Sequence, residues 1–119
     1  MLLVALAILS ATVVLGIVLA LLHLRGLHPH WMFGALHGVL GATGLGTLVL
    51  ALRGPPRGVL TGVAWFGTIA ALLAAAALAL GLGIVALARR SRGVGPVIVV
   101  HGTLAITAYV LLLAYVSLG

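Results

Sequence analysis

Acidic residues and cysteines are absent from this chain of 119 residues, and its six basic residues are all arginine. Without Asp or Glu there are no carboxylate acid–base pairs, no oxygen cages for calcium and no acidic relays of the kind that drive proton-coupled transport. Without cysteine there are no disulfides, no thiolate metal sites and no covalent c-type haem attachment. The five histidines are therefore the main candidates for metal or acid–base chemistry.

Charge of any kind is scarce, since only 5% of the residues are charged and 65% are hydrophobic. Soluble domains are about one quarter charged, so most of this chain must have lipid as its solvent. The net charge of +6 would otherwise suggest nucleic acid as a partner. Here the arginines lie only between long apolar runs, which is typical of loops and membrane interfaces. We expect a lipid bilayer around the chain and no nucleic acid.

Four apolar runs are long enough to cross a membrane, which takes about 20 residues. The first has neither the basic start nor the short apolar core of a cleaved signal peptide. Short connections make consecutive helices antiparallel neighbours. We therefore predict an all-α membrane protein: one transmembrane domain over residues 1–119, folded as an up-down-up-down four-helix bundle. The predicted spans are residues 2–24, 32–52, 61–88 and 97–118.

The arginines are unevenly divided between the two ends of this bundle. Arg53 and Arg57 lie at one end, and the other four lie at the opposite end: Arg25, Arg89, Arg90 and Arg92. Because cytoplasmic loops carry the excess of basic residues, the end with four arginines is predicted to be cytoplasmic. We expect a multi-pass protein of an inner or plasma membrane with both termini outside.

Two segments share the pattern His-Gly-x-Leu-small-x-Thr, one beginning at His37 and the other at His101. The same offset of 64 residues aligns Arg25 with Arg89. This indicates a duplicated helical hairpin with its symmetry axis along the membrane normal. The alternative is independent use of Gly, Ala and Leu, which membrane helices favour.

Both histidines lie at matching depth on parallel, diagonal helices, roughly 6–9 Å below the same surface at 1.5 Å per residue. Ionisable groups inside a span are rare and usually functional, and neutral imidazole is a common metal ligand. Small residues follow each histidine on the same helical face: Gly41 and Gly44 in one helix, Ala105 and Ala108 in the other. A bare ion needs no such clearance, whereas a flat macrocycle does. The sequence therefore predicts a haem b with His37 and His101 as its axial ligands.

Arg25 and Arg89, with Arg90 and Arg92 beside them, lie at the end nearer the histidines. Guanidinium groups bind carboxylates well, so these arginines are candidate partners for the haem propionates. Fixing the topology is the other interpretation, and the two are compatible. His23, His28 and His30 cluster at the same end, where they either bind a surface metal or lie in the interface as ordinary polar residues.

On these residues the chain resembles the transmembrane four-helix b-type cytochromes, including the ascorbate-reducible cytochromes and the haem-bearing half of the quinol-oxidising cytochrome b. The resemblance implies histidines presented across the bundle by the second and fourth helices, with glycines where the haem edge passes. In one respect the chain differs. The quinol-oxidising family carries a second histidine 13 or 14 residues further along each helix, where this sequence has Leu50 or Ala51 and Ala114 or Tyr115. A second haem in that arrangement is therefore not expected.

The expected function is electron transfer through a single haem b. Two imidazoles fill both axial positions and leave no open site for oxygen chemistry, which favours an electron carrier over an enzyme. A quinone, another cytochrome or a larger membrane complex would be the redox partner, and the chain could form oligomers. The alternative is a structural or assembly subunit without haem, in which the histidines only pack. A small transporter is disfavoured because the spans hold no charged residue and no proline-broken helix.

Overall fold

The computed structural model describes residues 1–90 and 93–119, without the side chain of Arg89. Its helices are α1 (Leu2–Leu24), α2 (Trp31–Ala51), α3 (Phe66–Arg89) and α4 (Gly95–Leu118), and the described residues contain no strand. All four are long and apolar enough to cross a membrane. The predicted fold class, an all-α bundle of four membrane-spanning helices, is confirmed.

Each helix packs against two neighbours: α1 contacts α2 and α4, and α3 contacts the same two helices. Among the described residues, the diagonal pairs α1–α3 and α2–α4 make no close backbone contact. The molecule measures 49 × 22 × 21 Å, and a bilayer with its headgroups is about 40–45 Å thick. Both ends of the bundle therefore reach headgroup depth when the helices cross the membrane.

The largest difference from the predicted spans is the start of α3, which is at Phe66 rather than at residue 61. Gly58 and Gly62 have φ angles of +70° and +75°, a left-handed conformation that glycine adopts without steric cost. Between them the chain folds back, and the amide of Val63 donates to the carbonyl of Gly58 at 3.0 Å. Residues 59–65 are apolar like a span, yet they form part of a loop.

The hydrophobic core occupies the half of the bundle that carries the two chain termini. Its members come from all four helices and are Ala5, Leu48, Ala70, Ala71, Leu112 and Tyr115. The other half has no buried residue in the described chain: residues 13–24, 31–43, 78–88 and 95–107 are all at least partly exposed. Buried residues are therefore confined to one half of the described bundle.

Equivalent positions in the two hairpins are buried alike. Leu48 of α2 and Leu112 of α4, 64 residues apart, are at most 1% exposed. Ala5 of α1 and Ala70 of α3, 65 residues apart, are also at most 1% exposed. The repeat thus extends through both helices of each hairpin, but α1 and α3 align with an offset one residue larger. Arg25 consequently corresponds to Arg90 rather than to Arg89, since each directly follows the end of its helix.

Candidate functional site

His37 of α2 and His101 of α4 lie side by side across the diagonal of the bundle. Their ring centres are 5.9 Å apart and their planes make an angle of 69°. Metal–imidazole bonds are about 2.0–2.1 Å long, so one metal between two opposed imidazoles separates the ring centres by roughly 6 Å. The structure thus brings the two predicted ligands to a separation that suits a shared metal.

A backbone carbonyl of the preceding helix fixes each imidazole. Nδ1 of His37 lies 3.0 Å from the carbonyl oxygen of Thr12 in α1. Nδ1 of His101 lies 2.7 Å from the carbonyl oxygen of Ala77 in α3. A carbonyl only accepts hydrogen bonds, so each Nδ1 must carry the proton and donate it. The other nitrogen, Nε2, then has a free lone pair, which is the form in which a histidine binds a metal.

A glycine one turn after each carbonyl gives the imidazole room to approach its neighbouring helix. A β-carbon added to Gly16 of α1 would lie only 2.8 Å from Cε1 of His37. A β-carbon added to Gly81 of α3 would lie 3.3 Å from Cε1 of His101. Thr12 and Gly16 align with Ala77 and Gly81 at the offset of 65 residues, so each imidazole lies against an equivalent carbonyl and glycine. We call such a pair a carbonyl–glycine seat.

Gly41 and Gly44, which follow His37 on α2, lie against α1. A β-carbon on Gly44 would lie 2.7 Å from Cγ of Leu9, and one on Gly41 would lie 3.5 Å from Cγ2 of Thr12. Both glycines thus face α1, and close α1–α2 packing accounts for the glycine at position 44. Ala108, which corresponds to Gly44 in α4, is buried, whereas Ala105 is partly exposed.

The two seats lie where the well-packed half of the bundle ends. Thr12 and Ala77 are buried, and beyond them no described residue of any helix is buried as far as the end that carries Arg25 and Arg90. The buried core of the bundle therefore lies on one side of the histidines only.

The donor set favours a macrocycle over a bare metal ion. In the described chain no group of three or more His, Cys, Asp or Glu residues is placed to hold an ion. A protein-held zinc ion takes three or four such ligands. A tetrapyrrole supplies four equatorial nitrogens of its own and needs only axial ligands. Two imidazoles with free Nε2 lone pairs fit that requirement.

The other predicted polar residues lie nearer the end of the bundle. Arg25 and Arg90 are exposed at the ends of α1 and α3, whereas the side chain of Arg89 and all of Arg92 lie outside the described residues. His30 caps α2, because its Nδ1 accepts the amide of Met32 at 3.4 Å. This contact supports the interfacial interpretation for His30.

One polar contact between helices was not predicted from the sequence. The hydroxyl oxygens of Ser10 in α1 and Tyr109 in α4 lie 2.8 Å apart, and Ser10 donates to the carbonyl of Leu6 at 2.7 Å. Tyr109 must then donate to Ser10, which closes a hydrogen-bonded chain across the α1–α4 interface. At the equivalent α2–α3 position the residues are Leu45 and Ala75, so this bond belongs to one interface alone.

No protein-family model, curated protein or solved structure matches the chain.

Proposed function

We propose that this protein is a membrane-embedded b-type cytochrome that carries electrons through a single haem b. His37 and His101 are its axial ligands, and electrons pass to or from a quinone, another cytochrome or a larger membrane complex. The observation that carries the proposal is the pairing of the two imidazoles at 5.9 Å, each with Nδ1 bonded to a backbone carbonyl.

Each part of the site has a role in this function. The carbonyls of Thr12 and Ala77 fix the tautomer and ring orientation, and hydrogen bonds of this kind increase the basicity of a ligating histidine. The apolar helices exclude bulk water from the imidazoles. When bound, the haem supplies the one-electron ferric–ferrous couple. With both imidazoles holding the haem, its iron would have no open position for oxygen, so the site would serve electron transfer rather than oxygen activation.

Among the side chains that the structure describes, Arg25 and Arg90 are the cations proposed to bind the haem propionates. They occupy equivalent positions after α1 and α3, nine residues beyond Gly16 and Gly81. Nine helical residues span about 13–14 Å, a distance that a propionate and a long arginine side chain together can bridge. Of the four arginines predicted to bind the propionates, these two are the ones whose side chains the structure describes; the predicted roles of Arg89 and Arg92 fall outside the described residues.

A structural or assembly subunit without haem is the second candidate function. It is favoured by the edge-to-face arrangement of the two imidazole rings and by the carbonyl bonds that already satisfy both Nδ1 atoms. In that role the histidines would join the two hairpins by packing alone.

The visible absorption spectrum of the purified full-length protein separates the two functions. Expression in a haem-producing host should give a protein with one haem per chain and the sharp reduced bands of six-coordinate, low-spin iron. His37→Ala and His101→Ala should each abolish the low-spin spectrum or leave a high-spin remnant. His23→Ala and His28→Ala, which change exposed histidines at the membrane surface, are the matched controls and should retain it.

Two results would overturn the assignment. A wild-type protein that inserts into membranes but takes up no haem would leave the packing role as the better account. Unchanged low-spin spectra in both His37→Ala and His101→Ala would mean that a haem is bound elsewhere in the chain.

A further inference from the structure

The loop between α2 and α3, residues 53–65, is fastened to the end of α4. The hydroxyl of Thr61 donates to the carbonyl of Leu118 at 2.9 Å. Val63 is buried, and its amide donates to the carbonyl of Gly58 at 3.0 Å. The loop therefore has a defined conformation with its own inward-facing apolar residue.

Three large apolar side chains of this loop point away from the protein. Leu60 is 101% exposed, Trp65 is 73% exposed and Val59 is 64% exposed. We call Val59, Leu60 and Trp65 the apolar tip. Because Val63 already fills the inward position, the apolar tip is not needed for packing within the chain, and its exposure indicates an external apolar contact.

A cationic groove adjoins the apolar tip. It has a volume of about 480 Å³, and its lining includes Arg57, Val59, Leu60, Thr61 and Leu118. The sequence contains no Asp or Glu, so no side chain of the protein can serve as a counter-ion for Arg57. The groove therefore places Arg57, which has no acidic side chain to pair with, beside exposed apolar surface and the chain end at Gly119.

We propose that this groove binds the headgroup phosphate of an anionic phospholipid through Arg57, with Val59 and Leu60 inserted at the boundary between headgroups and acyl chains. The loop directly follows α2, so the apolar tip lies at the end of the bundle. The 49 Å length of the molecule puts both ends at headgroup depth. An anionic headgroup attracts a basic residue at that depth in whichever leaflet it lies, and tryptophan favours that depth too.

A fluorescent reporter at Leu60 tests the insertion. Trp31→Phe and Trp65→Phe remove the two native tryptophans, and Leu60→Trp then places a single tryptophan at the centre of the apolar tip. In phosphatidylcholine–phosphatidylglycerol vesicles its emission should be blue-shifted and quenched by acyl chains brominated near the headgroup, while aqueous acrylamide quenches it weakly. Val59→Trp in the same background is a second reporter. Water-like emission from both would overturn the proposal and indicate a surface for a water-soluble partner.

Lipid selectivity tests the role of Arg57. One basic residue near a membrane surface contributes on the order of a fivefold preference for anionic lipid. Brominated phosphatidylglycerol should therefore quench the Leu60→Trp reporter to the same extent as brominated phosphatidylcholine at about one fifth of its mole fraction. Arg57→Gln should bring this ratio close to one. Arg53→Gln is the matched control in the same loop but outside the groove, and it should leave most of the preference intact.

Two outcomes would overturn the lipid assignment. Equal quenching by both lipids in the chain with native Arg57 would exclude selective phosphate binding. Loss of the phosphatidylglycerol preference on adding inorganic phosphate, but not on adding the same ionic strength of chloride, would assign the groove to a free anion. Neither measurement involves haem, so the proposal stands or falls separately from the electron-transfer function.

Discussion

His37 rests against Gly16 so closely that a β-carbon on Gly16 would lie 2.8 Å from Cε1 of the imidazole. His101 rests against Gly81 in the same way, with a corresponding distance of 3.3 Å. Real β-carbons essentially never come closer than 3.0 Å to such an atom. At Gly16, any side chain therefore requires the imidazole of His37 to move. At Gly81, a methyl group is tolerated after a small shift of the imidazole of His101.

Alanine at these two glycines should affect haem binding to different degrees. Gly16→Ala should displace His37 from the carbonyl of Thr12 and lower haem occupancy by roughly tenfold, the usual size of effect when a ligating histidine loses its orienting partner. Gly81→Ala should have a smaller effect in the same direction. Haem-to-protein ratios and the low-spin electron paramagnetic resonance signal measure both.

Gly83→Ala is the matched control for this series, because no atom lies within 4 Å of a β-carbon at that position of α3. It should load haem like the wild type. Equal occupancy in Gly16→Ala and Gly83→Ala would contradict the role of the carbonyl–glycine seat.

Removing a cation near the propionates should lower the haem reduction potential. Arg25→Gln and Arg90→Gln each take away a positive charge, and less positive charge nearby favours the ferric state, which is the more positive of the two. Redox titration followed by the reduced absorption bands measures the shift. Arg53→Gln, at the opposite end of the bundle, should leave the potential unchanged. An identical shift in all three variants would point to a general loss of net charge rather than propionate contacts.

The hydrogen bond from Tyr109 to Ser10 should contribute modestly to stability and little to the haem site. Interhelical hydrogen bonds in membranes are worth on average about 0.6 kcal/mol, with a maximum near 1.7. Tyr109→Phe should therefore reduce the free energy of unfolding by about that amount, measured by denaturation in detergent micelles. Adding Ser10→Ala to Tyr109→Phe should cost little more, because the pair has already lost its bond. Fully additive losses would mean that the two hydroxyls act independently.

Both chain termini share one end of the bundle with the α2–α3 loop, and we predict that this end faces the outside. The reason is the division of arginines, four at the opposite end and two at this one. A reporter fused after Gly119 should be active in its exported form, and one inserted at Pro29 should be active in its cytoplasmic form. The reverse pattern would invert the orientation while leaving the fold intact.

The four helices were predictable because an apolar run of sufficient length has few other structures available to it in lipid. The start of α3 was not predictable from hydropathy. Val59 and Leu60 are as apolar as a membrane span, but the turns at Gly58 and Gly62 place them in a loop. Unpaired backbone groups are costly in lipid, which makes apolar runs helical within the membrane. The residue at which α3 begins depends instead on the left-handed conformations of Gly58 and Gly62.

The proximity of His37 and His101 was predictable from their equal depth on parallel helices. The carbonyl–glycine seats were not predictable, because the sequence does not show which faces of α1 and α3 contact the imidazoles. A signal was present: Gly16 and Gly81 match at an offset of 65 residues, together with Ala5 and Ala70. Alignment at the histidine offset of 64 hides this match, because the second hairpin has one residue fewer between its glycine and its histidine.

Because of the repeat, the histidine site is shared between the two hairpins. Each hairpin supplies one imidazole, one carbonyl and one glycine, so neither half contains a complete site and the histidine pair straddles the boundary between them. An iron bound there would add a coordination link between the two hairpins, which the shared core already joins at the other end of the bundle. Two fragments, one for each hairpin, should consequently assemble more tightly in a membrane when the cofactor is present than when it is withheld.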